Sequence, residues 1–131
     1  MMQEEYFKSY SIILILSKWR FKMPDSKLMS YITSDFQSQS DLKVGQMEWE
    51  KIMEEKFQKF KNAGALRQTV SQIWNKEGTL RLGHLWEYKD EKSFVQCQKI
   101  FREAEIEFKT KTGIEWKVFS NRGVIIYDVE Y

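Results

Sequence analysis

The 131-residue sequence predicts an α+β fold: an antiparallel sheet with two helices on one face, plus an extra C-terminal strand. Three observations carry this. Two stretches repeat apolar residues at steps of three and four, as an amphipathic helix requires, and both end at a glycine. Five others, the extra strand included, alternate at period two or run as β-branched blocks, as strands do. Their order along the chain is strand, helix, strand, strand, helix, strand.

The first strand is expected over Tyr10–Phe21, where Ile12, Ile13, Leu14, Ile15 and Leu16 form the longest apolar run and Trp19 and Phe21 then alternate with Lys18 and Arg20. Pro24, the only proline, ends it. Residues 24–45 show no sustained period and admit at most a short helical turn. From about Gln46, Trp49, Ile52, Met53, Phe57 and Phe60 fall on one helical face, and Asn62-Ala63-Gly64 stops the helix. Ala65–Asn75 pairs as a hairpin with a strand in which Leu80, Leu82, His84, Trp86 and Tyr88 share one face. Gly83 inside that strand marks a bulge or a close approach of another group. Asp90 caps a second helix carrying Phe94, Cys97, Phe101, Ala104 and Phe108, which Gly113 closes. Ile114, Trp116 and Val118 begin a strand, Ser120-Asn121-Arg122-Gly123 is expected to turn, and Val124–Tyr131 forms the extra strand. The order is that of the ferredoxin-like βαββαβ fold.

A chain of this length forms one domain, residues 1–131. Hydrophobic residues at 42% and aromatics at 15% exclude disorder and leave apolar surface for an interface or pocket. Twenty-one Lys and Arg against nineteen Asp and Glu, interleaved, imply no polyanion and hence no nucleic-acid partner. RNA-recognition domains share the element order, but Arg81–Tyr88 imitates their stacking strand poorly. No apolar run approaches the roughly 18 residues of a membrane span. A lone Cys97 and an acidic Met1–Glu5 place the chain in the cytoplasm. Bulky residues in both strand phases, as at Leu85 and Trp86, leave a second apolar sheet face that a second copy of the chain would cover.

Gly78-x-Leu80 followed by His84-Leu85-Trp86-x-Tyr88, with Trp74 before it and a helix after it, resembles the hairpin and third strand of the NIPSNAP-like proteins. These belong to a superfamily that also holds the antibiotic-biosynthesis monooxygenases. The resemblance implies a dimeric α/β barrel, two ferredoxin-like subunits packed sheet to sheet around an internal pocket. Phe94–Gln98 stands where that pattern carries arginines.

His84, the only histidine, is the one candidate catalytic group, as acid, base or ligand; a histidine hydrogen-bonded inside the fold is the plainer reading. Trp19, Trp74, His84, Trp86, Tyr88 and Trp116 are the candidate lining of an aromatic pocket for a small organic molecule, although any one aromatic is more often plain packing. Asn75 and Arg81 are candidate polar anchors. One His and one Cys do not make a zinc site, while axial haem ligation needs only one imidazole, so the cofactor stays open. Cys97 reads as a small buried hydrophobe. The sequence therefore points to a homodimeric binder of a small apolar or aromatic molecule or, alternatively, to a cofactor-light monooxygenase or isomerase using His84.

Overall fold

The computed structural model describes residues 27–131. The expected strand over Tyr10–Phe21 lies outside the described residues. The elements are β1 (Leu28–Phe36), α1 (Gln39–Glu55), α2 (Phe57–Ala63), β2 (Ala65–Ile73), β3 (Arg81–Tyr88), α3 (Glu91–Thr112) and β4 (Trp116–Val124). The four strands among the described residues form one antiparallel sheet in the order β2-β3-β1-β4, the ferredoxin-like arrangement with the first and third strands central.

The stretch 24–45 is the main correction to the sequence reading, because it holds β1 and the first two turns of α1. β1 turns Leu28, Ser30, Ile32, Ser34 and Phe36 toward the helices, opposite the buried face of β3. Two serines on the core side break the apolar alternation that would have announced a strand. Ser30 is nonetheless fully buried, and its Oγ accepts a 3.2 Å hydrogen bond from the Tyr88 hydroxyl. α1 starts at Gln39 because Ser38 caps it, its Oγ accepting from the Asp41 N–H at 3.0 Å. One helix was expected up to Gly64; two are found, separated at Lys56, whose backbone leaves the helical region.

At the other end, no turn forms at Ser120–Gly123, and no strand forms beyond Val124. β4 instead pairs with β1 without interruption from Phe36↔Trp116 to Leu28↔Val124. A nine-residue central strand offers a full ladder, and that pairing overrides the local turn preference of Asn121 and Gly123. Ile125 N–H still donates to the Lys27 carbonyl at 2.9 Å, but Ile126–Tyr131 has no strand partner among the described residues. Asp90 caps α3 as expected, accepting from the Ser93 N–H at 2.8 Å, and Gly113 and Gly64 end their helices in the left-handed region.

The core lies between the sheet and the helices. Phe60, Trp86, Tyr88, Phe94 and Phe101 make a contiguous aromatic cluster, with Trp86 4.7 Å from Phe60 and 4.6 Å from Phe101, centroid to centroid. A second cluster gathers Ile52, Ala104 and Phe108 beside Trp49 and Trp116. Among the described residues the opposite sheet face carries no helix. It presents Tyr31, Thr33 and Asp35 from β1, Arg81, Gly83 and Leu85 from β3, and Phe119 from β4. Gly83 is where a neighbour approaches closely: a Cβ there would lie 2.6 Å from the Tyr31 hydroxyl.

Candidate functional site

His84 sits on β3 with Leu82, Trp86 and Tyr88 on the buried face, so its side chain points toward the helices and away from the uncovered face. There it borders a cleft of about 50 Å³ closed by Trp49 of α1, Phe101 and Phe108 of α3, Ser34 of β1 and Trp116 of β4. Gly45 lets α1 come close at this point, since a Cβ on it would meet the Phe36 ring at 2.8 Å. Phe108 and Trp116 are 3.9 Å apart and Trp49 stands edge-on to both.

The polar groups of this cleft are few. His84 is 8% exposed and makes no hydrogen bond among the described residues, its only ring contact being the edge of Trp49 at 6.3 Å. Among the described residues the buried Trp49 Nε1–H has no acceptor. An orphaned buried donor costs on the order of 1–3 kcal/mol, so an acceptor brought to this indole would be stabilising. Burial lowers the His84 pKa to about 4, which keeps the imidazole neutral at physiological pH. No Lys or Arg lines the cleft, and Glu105 at its rim has a carboxyl pKa raised by burial. A neutral guest fits these walls better than an anion. The volume beside His84 is far too small for a haem. Among the described residues, no group of three His, Cys, Asp or Glu side chains gathers as for a metal ion.

Of the residues singled out from sequence, His84, Trp86 and Trp116 meet at this cleft, whereas Tyr88 and Trp74 do not join them. Tyr88 is core, packed edge-on to Phe94 at 5.4 Å. Trp74 lies just past β2 and is 90% exposed. Trp19 lies outside the described residues. Arg81 is on the uncovered face, in a bidentate pair with Asp35 at 2.6 and 2.9 Å, and Asn75 is in an exposed turn, so neither anchors a ligand in the cleft. Cys97 is fully buried with its thiol pushed up to about 11 by burial, a core residue and no nucleophile. Trp49, Phe108 and Ser34 complete the cleft. The first two carried a sequence signal, the apolar helix stripes, but that signal reports burial and not a cavity; Ser34 carried none.

An α+β sheet covered on one face, with an aromatic cleft beneath it, places this chain among the ferredoxin-like proteins. More narrowly, residues 25–125 match the model of a domain of unknown function, DUF6974, and the chain belongs to that family. None of the curated proteins matches it. Among solved structures it is similar to two dimeric ferredoxin-like proteins from uncultured marine organisms. One is 26% identical over 80% of this chain and 99% of the other, with a TM-score of 0.73. The second is 23% identical over 79% and 99%, with a TM-score of 0.71. A candidate antibiotic biosynthesis monooxygenase from Nitrosomonas europaea shares the fold at 9% identity and a TM-score of 0.56, over 79% of this chain and 94% of that one. Among the described residues no helix is long and apolar enough to cross a membrane.

Proposed function

We propose that this chain is a single-domain, cytoplasmic homodimer that binds a small, neutral, apolar or aromatic molecule in the cleft between its sheet and helices, with distant kinship to the NIPSNAP-like proteins. The observation that carries the binding reading is an aromatic cleft that places the neutral His84 beside Trp49, whose buried indole N–H has no acceptor among the described residues. Support for the dimer comes from the sheet face with Tyr31, Leu85 and Phe119, which no helix covers among the described residues, and from the dimeric state of the marine ferredoxin-like proteins. Kinship with the NIPSNAP-like proteins rests on the Trp74–Tyr88 motif alone.

A guest larger than a few atoms requires Trp49 or Trp116 to swing aside, because pockets for drug-sized ligands run to about 300 Å³ or more. The enzymatic alternative, a cofactor-light monooxygenase or isomerase with His84 as base, draws on the same cleft and on the fold shared with the Nitrosomonas protein. An imidazole held near 4 has little drive to take a proton, which favours binding over base catalysis.

Native mass spectrometry of gently purified protein tests both parts of the reading. A dimer with retained mass that disappears in His84→Leu is the expected result; a monomer refutes the dimer. A bare dimer whose Trp49 indole NMR signal is unmoved by millimolar phenol or indole refutes the binding site. Oxygen uptake with a hydroquinone probe that vanishes in His84→Ala would instead favour the enzyme.

A further inference from the structure

Of the side chains that line the cleft, only Glu105 of α3 and Val118 of β4 are exposed, whereas His84, Trp86, Phe101 and Phe108 are buried. The mouth of the cleft therefore lies between α3 and β4, and a guest held by the aromatic interior turns its outer end toward these two residues. Helix spacing explains the placement of the first. Glu105 follows Phe101 by four residues and precedes Phe108 by three, so it stands on the same side of α3 as both.

Glu105 is also the one charged side chain of the lining, and it differs from its neighbours on α3. Glu103 pairs with Lys56 and Lys59 at 3.8 and 3.3 Å, and Glu107 pairs with Lys56 and Lys111 at 3.9 and 3.4 Å. Glu105 makes no ion pair or hydrogen bond among the described residues, and only Arg102, three residues back, acts on it through space. The residue as a whole is exposed, yet burial of its carboxyl raises the pKa above the usual range, with Arg102 opposing the rise. A carboxylate that has lost water without gaining a partner is stabilised by a hydrogen-bond donor brought to it, and it repels a second carboxylate.

From this placement we infer that Glu105 sets the selectivity of the cleft: its guest is an apolar or aromatic molecule with a hydrogen-bond donor, N–H or O–H, at the end facing the mouth, and a carboxylate at that end is turned away. The inference rests on the binding reading proposed above and specifies the chemistry of the guest. Val118, the other exposed lining residue, offers only methyl groups, so Glu105 is the one side chain at the mouth able to accept a hydrogen bond.

The test is an NMR titration of the ¹⁵N-labelled full chain, followed at the Trp49 indole N–H, with two five-membered rings of the same shape. Pyrrole carries an N–H donor and furan carries none. Pyrrole is expected to bind wild type about tenfold more tightly than furan, the lower end of what a hydrogen bond to a charged group contributes. In Glu105→Leu the two rings should bind within about twofold of each other, and pyrrole-2-carboxylate should bind Glu105→Gln at least about fivefold more tightly than it binds wild type. Position 105 is an exposed helix position, so both variants keep the fold. A preference for pyrrole that survives Glu105→Leu places the donor elsewhere and overturns the assignment, as does equal binding of both rings to wild type; in either case the binding site itself stands. A Trp49 signal unmoved by every probe refutes the binding site and this selectivity together.

Discussion

Tyr88 and His84 are on the same face of the same strand, both aromatic, both carrying a polar atom and both nearly removed from solvent. At the Tyr88 end Phe94 and Trp86 pack the ring, and the hydroxyl reaches Ser30 at 3.2 Å. At the His84 end the strand faces a cleft, and among the described residues His84 makes no hydrogen bond and the neighbouring buried Trp49 Nε1 has no acceptor. One end of β3 is therefore closely packed with its polar group satisfied, and the other leaves a buried indole donor without an acceptor among the described residues, at some cost to stability.

The sharpest way to expose this asymmetry is to empty the packed end. Trp86 touches Phe60 and Phe101 and is almost wholly buried. Trp86→Ala is expected to destabilise the fold by about 3–5 kcal/mol in chemical denaturation. A loss below about 1 kcal/mol would mean that the aromatic cluster is no better packed than the cleft.

Acid sharpens the comparison at the other end. The unfolded chain protonates its histidine below about 6.5, whereas the native imidazole resists until about 4. In that window the unfolded state binds more protons, so stability falls as pH drops from 6.5 and the loss is complete below about 4. Its size is about 3 kcal/mol. Other groups titrate there too, with Glu105 shifted in the opposite sense, so the measurement is the difference between wild type and His84→Leu across pH 4 to 7. At pH 7 the leucine variant should be as stable as wild type or more so, since no hydrogen bond is lost. Identical acid profiles would show His84 to be solvated.

Tyr88→Phe probes the satisfied end more gently. It removes the hydroxyl and strands the Ser30 Oγ, and a destabilisation of about 1 kcal/mol is expected. Ser30→Ala in the same background should add little, because the two groups act as a pair. Fully additive losses would separate them.

Legibility in the sequence follows the same divide. On the Tyr88 side the periods of β3 and α3, the Asp90 cap and the Gly113 stop were all readable. β1 was not, because Ser30 and Ser34 occupy core positions and their reason lies on strands far away in sequence: Ser30 answers the Tyr88 hydroxyl and Ser34 borders the cleft. The phase of β3 grouped His84 with Trp86 correctly, but period two alone does not say which side faces the helices. The cleft itself follows from how close α1 comes at Gly45, a distance no local pattern encodes. The absent turn at Ser120–Gly123 shows the converse, local chemistry yielding to a ladder with β1.

The smallest expected effect falls on the residue that sequence ranked high and the protomer leaves bare. Trp74 shares the Trp74–Tyr88 motif with His84 and Trp86, yet it has no ring contact among the described residues and is 90% exposed. Trp74→Ala should change protomer stability by less than about 0.5 kcal/mol, against several for Trp86, although both are tryptophans of one hairpin. It should also remove the most red-shifted, most readily quenched part of the tryptophan fluorescence. A larger loss that grows with protein concentration would place Trp74 under the second copy, moving it from the bare surface to the dimer contact; a large loss independent of concentration would mean that the same chain covers it.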